Sequence, residues 1–329
     1  MSSSSTSDPG KNSPVPLPPL SARRPETARR RRRMEARWRM PGADNELSHS
    51  SWFRALQMWG LEAALRAAGL YHRGRRNALD MRLAEMDLAP PRLPTALDGL
   101  RVLHVSDLHL GRSLPGFAEN ARRLLGGVET DLCLLTGDFR YGHFGPSDRA
   151  AEDVCRVLSG VCAAAGFHAV LGNHDTLIIG EMLEARGIRV LMNEGARVEM
   201  RGESVWLAGV DDPHLHRAAD LTAALEGRPP GLFTILLAHS PECVAGAARA
   251  GVDLYLCGHT HGGQIRLPFL GGVHINVREG RRQALGVWSE GDMCGHTSPG
   301  LGTTDMPVRF RCPPEATLIT LRARPGTGG

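Results

Sequence analysis

The chain of 329 residues is 42% apolar, enough for one large domain with appendages, and its 5% aromatic share leaves the core to aliphatic side chains. Its formal charge of +4 is gathered in residues 1–40, where Lys11 and nine arginines meet only Asp8, Glu26 and Glu35, so the remainder is slightly acidic. That distribution argues against a nucleic-acid-binding domain, which carries basic charge on its own folded surface.

Residues 1–45, rich in Ser, Pro and Arg, have little apolar surface to bury and are expected to be disordered, with the arginine run 29–33 a solvated or membrane-facing charge cluster. Residues 46–98 form a helical and linking segment. Within it, residues 51–70 carry Trp52, Leu56, Trp59, Ala63 and Leu70 on one helical stripe, flanked by Phe53. Such a helix packs on its own domain or lies in a membrane interface. The stretch through Pro90, Pro91 and Pro94 then leads to a main domain over 99–322, and 323–329 reads as a flexible end. No apolar run reaches the roughly 18–20 residues of a membrane span, and no apolar stretch directly follows the basic start as a secretory signal needs. Cytoplasmic residence is expected. The seven cysteines contain no C-x-x-C pair and sit largely in apolar stretches, as buried reduced thiols do.

From residue 99 short aliphatic runs alternate with helical stretches. RVLHVSD, DLCLLTGD, HAVLGNHD, RVEMR, SVWLAGVDD, LFTILLAHS and VDLYLCGH read as strands; FAENARRLLGGV, 149–164, 178–186 and 241–250 read as helices. The alternation predicts an α/β layered fold with sheets covered by helices. Polar clusters follow the carboxyl ends of most strands: Asp107 and His109, then Asp138, then Asn173, His174 and Asp175, then His239, then His259 and His261. Carboxylate, imidazole and amide oxygen suit divalent ions such as Mn, Fe, Zn or Mg, and the absence of Cys argues against a structural zinc knot. In Asp107-Leu-His109 and His259-Thr-His261, strand alternation would send both outer side chains to one side.

The blocks SDLHLG (106–111), GD (137–138), GNHD (172–175), AHSPE (238–242) and GHTHGGQ (258–264) resemble the calcineurin-like metallophosphoesterase family over about residues 99–321. GVDD (209–212), GGQIRLPFLG (262–271) and the ending 300–321 resemble a bacterial branch of small phosphodiesterases and enzymes that cleave the pyrophosphate of UDP-2,3-diacylglucosamine in lipid A synthesis. The resemblance implies two packed β-sheets flanked by helices. It implies one metal held by Asp107, His109, Asp138 and His261, and a second held by Asp138, Asn173, His239 and His259, with Asp138 bridging. Manganese is the expected metal. Such a pair lowers the pKa of a shared water toward about 7, and the resulting hydroxide attacks phosphorus. By the same resemblance His174 protonates the leaving oxygen or stabilises the transition state, while Asp175 orients its imidazole or caps the next helix.

Arg112 and His143 are candidate substrate contacts. His104 alternates with the core face of its strand and is expected to be packed, and His214 and His216 are weak candidates for extra metal binding. The apolar loop Leu114-Pro115-Gly116-Phe117 and the helix at 51–70 suit a substrate with acyl chains. The expected partners are therefore a phosphorylated small molecule or lipid-linked substrate and a membrane surface touched peripherally. The alternative is a soluble phosphodiesterase acting on nucleotides. A non-catalytic scaffold would be expected to have lost ligands, and here every position is filled.

Overall fold

The computed structural model describes residues 18–39, 48–111, 114–142 and 147–324, without the side chains of 38, 39 and 48–55. In chain order the helices are α1 (Leu20–Arg23), α2 (Pro25–Arg39), α3 (Ser48–Ala67), α4 (Tyr71–Asn77), α5 (Phe117–Leu125), α6 (Ser147–Leu158), α7 (Leu177–Glu184), α8 (Leu221–Ala224) and α9 (Val244–Arg249). The main strands are β1 (Arg82–Leu88), β2 (Leu100–Val105), β3 (Leu132–Leu135), β4 (Phe167–Ala169), β5 (Ile188–Val190), β6 (Glu194–Met200), β7 (Glu203–Gly209), β8 (Thr234–Leu237), β9 (Leu254–Cys257), β10 (Gly286–Glu290), β11 (Met293–Thr297) and β12 (Glu315–Leu321).

Two six-stranded sheets result, in the orders β1-β12-β2-β3-β4-β5 and β10-β11-β9-β8-β7-β6. Strand alternation sorts the aliphatic residues into layers. Val102, Leu132 and Leu134 of the first sheet meet Ile235, Leu237, Leu254 and Leu256 of the second in one buried cluster. Their neighbours Leu103, Val105, Cys133 and Leu135 face the other way, onto Phe117, Ala121, Leu125, Val154 and Val157 of α5 and α6. On the far side Leu236, Tyr255 and Cys257 pack with Val244 and Ala247 of α9. The order is thus helix, sheet, sheet, helix. All seven cysteines are unpaired, but only Cys133, Cys257 and Cys312 are buried as expected, and Cys162 is exposed.

Four expectations change. The segment read as a linker contributes β1, which runs parallel to β12 from Arg82↔Glu315 to Leu88↔Leu321. It is an edge strand with exposed Glu85 and Asp87, so it lacks the apolar run that marks the buried strands. The described part of the supposedly disordered tail is helical and docked: Leu20 and Arg31 are fully buried, and Ala28 nearly so. Arg23 pairs with Glu184 at 2.6 Å and Glu194 at 2.7 Å. Of the arginine run 29–33 only Arg31 is buried; Arg29, Arg30, Arg32 and Arg33 are exposed, as the sequence leads one to expect. On α3, the stripe read as packing on the domain or lying in a membrane interface does not pack but turns outward, with Leu56 53% and Trp59 70% exposed. Leu61 and Leu65 instead hold the helix against Tyr71, Ile265, Met306, Val308 and Phe310; the side chains of Trp52 and Phe53 lie outside the described residues. Leu114 and Phe117 are buried, Phe117 in the core beneath α5, so that loop offers no acyl-binding surface.

His104 of β2 and His296 of β11 meet between the sheets, Nδ1 to Nδ1 at 3.0 Å. Burial, and for His104 also its neighbour His296, keeps both rings neutral: His104 lies well below the ordinary imidazole pKa and His296 near 4, as does buried His168. The unfolded chain therefore binds more protons than the fold below about pH 6.5, so stability rises with pH there. The urea midpoint of metal-free protein should fall from pH 7 to pH 5, by on the order of 1–2 kcal/mol per buried ring. A flat midpoint would show that these imidazoles are already charged in the fold.

Candidate metal centre

The expected residues converge where the carboxyl ends of both sheets meet. Asp107, His109, Asp138 and Asn173 follow strands of the first sheet, and His239, His259 and His261 follow strands of the second. Three groups have ligand atoms within 4.8 Å of one another: Asp107, His109 and His261; Asp138, His239 and His259; and His109, Asp138 and His174. Asn173 Oδ1 lies 3.0 Å from His239 Nε2 and joins the second group. The local geometry differs from the strand alternation expected from the sequence, because β2 and β9 end before the site. Asp107, His109, Asp138, His259 and His261 take left-handed backbone angles, with φ between 45° and 70°. Strand alternation does not aim these side chains; sharp turns do, at a cost of order 1–3 kcal/mol each. The loops touch closely enough that glycine is required: a Cβ on Gly172 would sit 2.1 Å from Asp138 Oδ1, and one on Gly258 would sit 1.9 Å from Ser106 Oγ.

Most of these imidazoles are held from behind. His109 Nδ1 donates to Arg140 O at 3.2 Å, His239 Nδ1 to Thr136 O at 2.7 Å, and His259 Nε2 to Asn276 O at 2.8 Å. Each leaves the other nitrogen facing the centre, the orientation that outer partners impose on metal-binding histidines. His261 is the exception: buried Arg309 places Nη2 3.2 Å from its Nδ1, so the neutral ring carries its proton on Nε2, 3.0 Å from His109 Nε2. A hydrogen-bond chain reaches Asp107 from between the sheets. It runs from His296 through His104, Thr136 and Ser106, whose hydroxyl donates to Asp107 Oδ2.

The electrostatics call for a cation. Burial, against the pull of His239, pushes Asp107 up to about 6. Burial opposes charge on Asp138 too, yet His239, His174 and His109 hold it well below the usual carboxylate range. Burial also opposes charge on His239, but Asp138 and then Asp107 raise it to about 10. Its Nε2 proton is met by Asn173 Oδ1 at 3.0 Å, His259 Nδ1 at 3.2 Å and Asp138 Oδ2 at 3.3 Å. Three acceptors around one positive charge, with buried Asp107 Oδ1 lacking any hydrogen-bond partner, fit divalent ions on this donor set. His109, His259 and His261 are kept neutral chiefly by burial, which for His109 and His259 leaves the centre-facing nitrogen unprotonated, the form that ligates.

His174 lines the cleft, with Nε2 3.8 Å from Asp138 Oδ2, and burial lowers its pKa to about 4. Asp175 neither orients that ring nor caps α7. Its carboxylate accepts from the backbone N–H groups of Asp138 (2.8 Å), Phe139 (2.9 Å) and Gly172 (2.8 Å), tying two loops of the centre together. Arg112 and His143 lie outside the described residues. His214 borders the cleft beside His259, its Nδ1 2.8 Å from Glu242 Oε1, while Asp212 accepts from the His216 backbone N–H. Arg140, Arg309, Thr136 and Asn276 were missed in the sequence because their contribution is a backing contact that only the assembled loops create.

The cleft has a volume of about 300 Å³. Asp138 and the histidines form its floor, and Met58, Leu61, Ile265, Val273 and Met306 form apolar walls.

Residues 100–263 match the family model of the calcineurin-like phosphoesterases. The metallophosphoesterase YkuE of Bacillus subtilis (strain 168) is 30% identical over 245 residues, spanning 70% of this chain and 82% of the relative. The phosphodiesterase YaeI of Escherichia coli (strain K12) is 32% identical over 231 residues, 67% of this chain and 82% of the relative. A transmembrane protein with a metallophosphoesterase domain from Bos taurus is 29% identical over 263 residues, 71% of this chain and 55% of the relative. With the Asp/His centre and the layered sheets already in place, these likenesses show that the chain belongs to the calcineurin-like phosphoesterase family and is a metallophosphoesterase.

Proposed function

We propose that the chain hydrolyses a phosphodiester or pyrophosphate bond in a lipid-linked substrate such as UDP-2,3-diacylglucosamine. The carrying observation is the cleft, whose acidic and imidazole floor meets apolar walls from α3 and from the segment 265–306. A phosphate seated on the floor leaves an acyl chain against Met58, Leu61, Ile265 and Val273. The exposed Leu56 and Trp59, together with Leu270 and a fully exposed Phe269, offer a further apolar rim. Among the described residues no helix is long and apolar enough to cross a membrane, so this reading makes the association peripheral, at the inner face of the cell membrane.

Asp107, His109, Asp138 and His261 would hold one divalent ion, and Asp138, Asn173, His239 and His259 the other. Manganese is favoured, with iron, zinc or magnesium also compatible with nitrogen and oxygen donors. Bound ions of this kind neutralise phosphate charge and acidify a water. The chain's own residues do the rest. Asp138, with Oδ2 3.7 Å from His109 Nε2 and 3.3 Å from His239 Nε2, would be shared between the two ions. His174 is neutral at pH 7 in the metal-free site, so it assists the leaving oxygen by hydrogen bonding rather than as a stored imidazolium. Arg112 and His143 are proposed to contact the substrate.

Three outcomes test this reading. Asp138→Asn should lower kcat by more than about a hundredfold and reduce bound metal in elemental analysis, since even outer partners of metal ligands are worth about 10–100-fold. His174→Ala should lower kcat by about 10²–10⁴-fold with metal content intact; loss of metal would make it a ligand instead. Manganese-reconstituted protein should cleave UDP-2,3-diacylglucosamine faster than a generic aryl phosphodiester. Cleavage of the aryl diester and of nucleotides alone would favour the soluble phosphodiesterase, and complete inertness of metal-loaded protein would favour a scaffold.

A further inference from the structure

The basic N-terminal segment lies outside the span that matches the family, yet one of its arginines reaches the back of the centre. Arg31 is fully buried, on the face of α2 that also carries Ala28. Its Nη2 donates to Gly172 O at 2.7 Å and to Asp175 O at 2.7 Å. Its Nη1 pairs with Asp211 of the GVDD block, and its Nε lies 3.2 Å from Glu35 Oε1. Glu35 in turn accepts from Leu177 N at 2.8 Å, capping the first turn of α7. The two carbonyls held by Arg31 flank Asn173 and His174, so one planar group grips both ends of the stretch 172–175. The same stretch is tied to Asp138 from the front, by His174 N to Asp138 Oδ1 at 2.8 Å and by the Asp175 carboxylate to Asp138 N at 2.8 Å.

A guanidinium presents several N–H groups in a fixed fork, whereas an ammonium on a flexible stem cannot hold a carboxylate and two carbonyls in the same plane. Removing the fork takes the donor from two carbonyls and leaves buried Asp211 with only the Asp212 N–H and no paired cation, and the stretch is then free to shift relative to Asp138. Displacements of about 1 Å at a reacting centre cost roughly a hundredfold in rate.

We propose that Arg31 is a positioning residue: it sets Asn173 and His174 against Asp138 from behind. The outer arginine of the same segment, Arg23, anchors α1 to Glu184 and Glu194 and gives its remaining hydrogen bonds to Pro18 O and Val190 O, and so supplies the comparison. The proposal rests on the reading of the centre given above, and amide exchange of metal-free protein separates the two.

The test uses full-length Arg31→Ala, Arg31→Lys and Arg23→Ala, each checked for cooperative unfolding. With manganese and an aryl phosphodiester, Arg31→Ala and Arg31→Lys should lose roughly a hundredfold in kcat with KM changed less than about threefold. Added guanidinium should restore part of the loss in Arg31→Ala but not in Arg31→Lys. Arg23→Ala should stay within about threefold of the parent. In metal-free protein, amides over 172–177 should exchange faster in both Arg31 variants and not in Arg23→Ala. The proposal is overturned if a cooperatively folded Arg31 variant keeps parental kcat or parental exchange, or if Arg23→Ala loses as much as they do. If Arg31→Ala does not fold, Arg31→Lys decides. If the parent is inert on every diester, the reading of the centre fails while amide exchange still decides whether the clamp exists.

Discussion

Two carboxylates, Asp107 and Asp138, are buried beside each other, and neither can keep its charge in a low-dielectric interior without positive charge close at hand. Much of the surrounding architecture answers that constraint. Asp138 keeps its charge against burial through the imidazoles around it, and His239 takes up a proton for the same reason. Asp107 is less well compensated and sits near 6, even with hydrogen bonds from Ser106 and from the His259 backbone. Turns in left-handed conformations bring these groups together, and glycines at 172 and 258 let the loops approach to contact.

The chemistry-bearing residues were legible in the sequence because they cluster after aliphatic runs. The layered fold was legible because those runs alternate with amphipathic helices. What the sequence hid has physical reasons. β1 is a half-exposed edge strand, and its Glu and Asp look like linker composition. The two apolar stripes of α3 cannot be ranked without the surface that receives one of them; Leu61 and Leu65 found it, while Leu56 and Trp59 did not. Asp175 carries the composition of an orienting acid, but three backbone N–H groups brought by other loops claim its oxygens. An arginine run reads as a solvated tail until a fold supplies Asp211 and two carbonyls at the depth of one side chain.

The N-terminal helices also alter how the domain is bounded. A layered domain starting near residue 99 would lack its edge strand, the guanidinium behind the 172–175 stretch and the carboxylate that caps α7. Structural completeness therefore depends on segments that carry none of the family's sequence blocks. The burial of Leu20 against Gly180, where a Cβ would meet Leu20 Cδ2 at 2.8 Å, shows how closely that addition is fitted.

The His296–His104–Thr136–Ser106–Asp107 chain has a mechanical side. Its first ring belongs to one sheet and the remaining members to the other, so it spans the seam of the sandwich and ends on a carboxylate of the centre. Any slip of one sheet along the other would have to stretch this series of contacts or drag Asp107 with it. The close-packed aliphatic interior resists such slip. The sandwich thus behaves as a caliper whose jaws are the two rows of loops, and its setting fixes the gap between the imidazoles of one sheet and the carboxylates of the other.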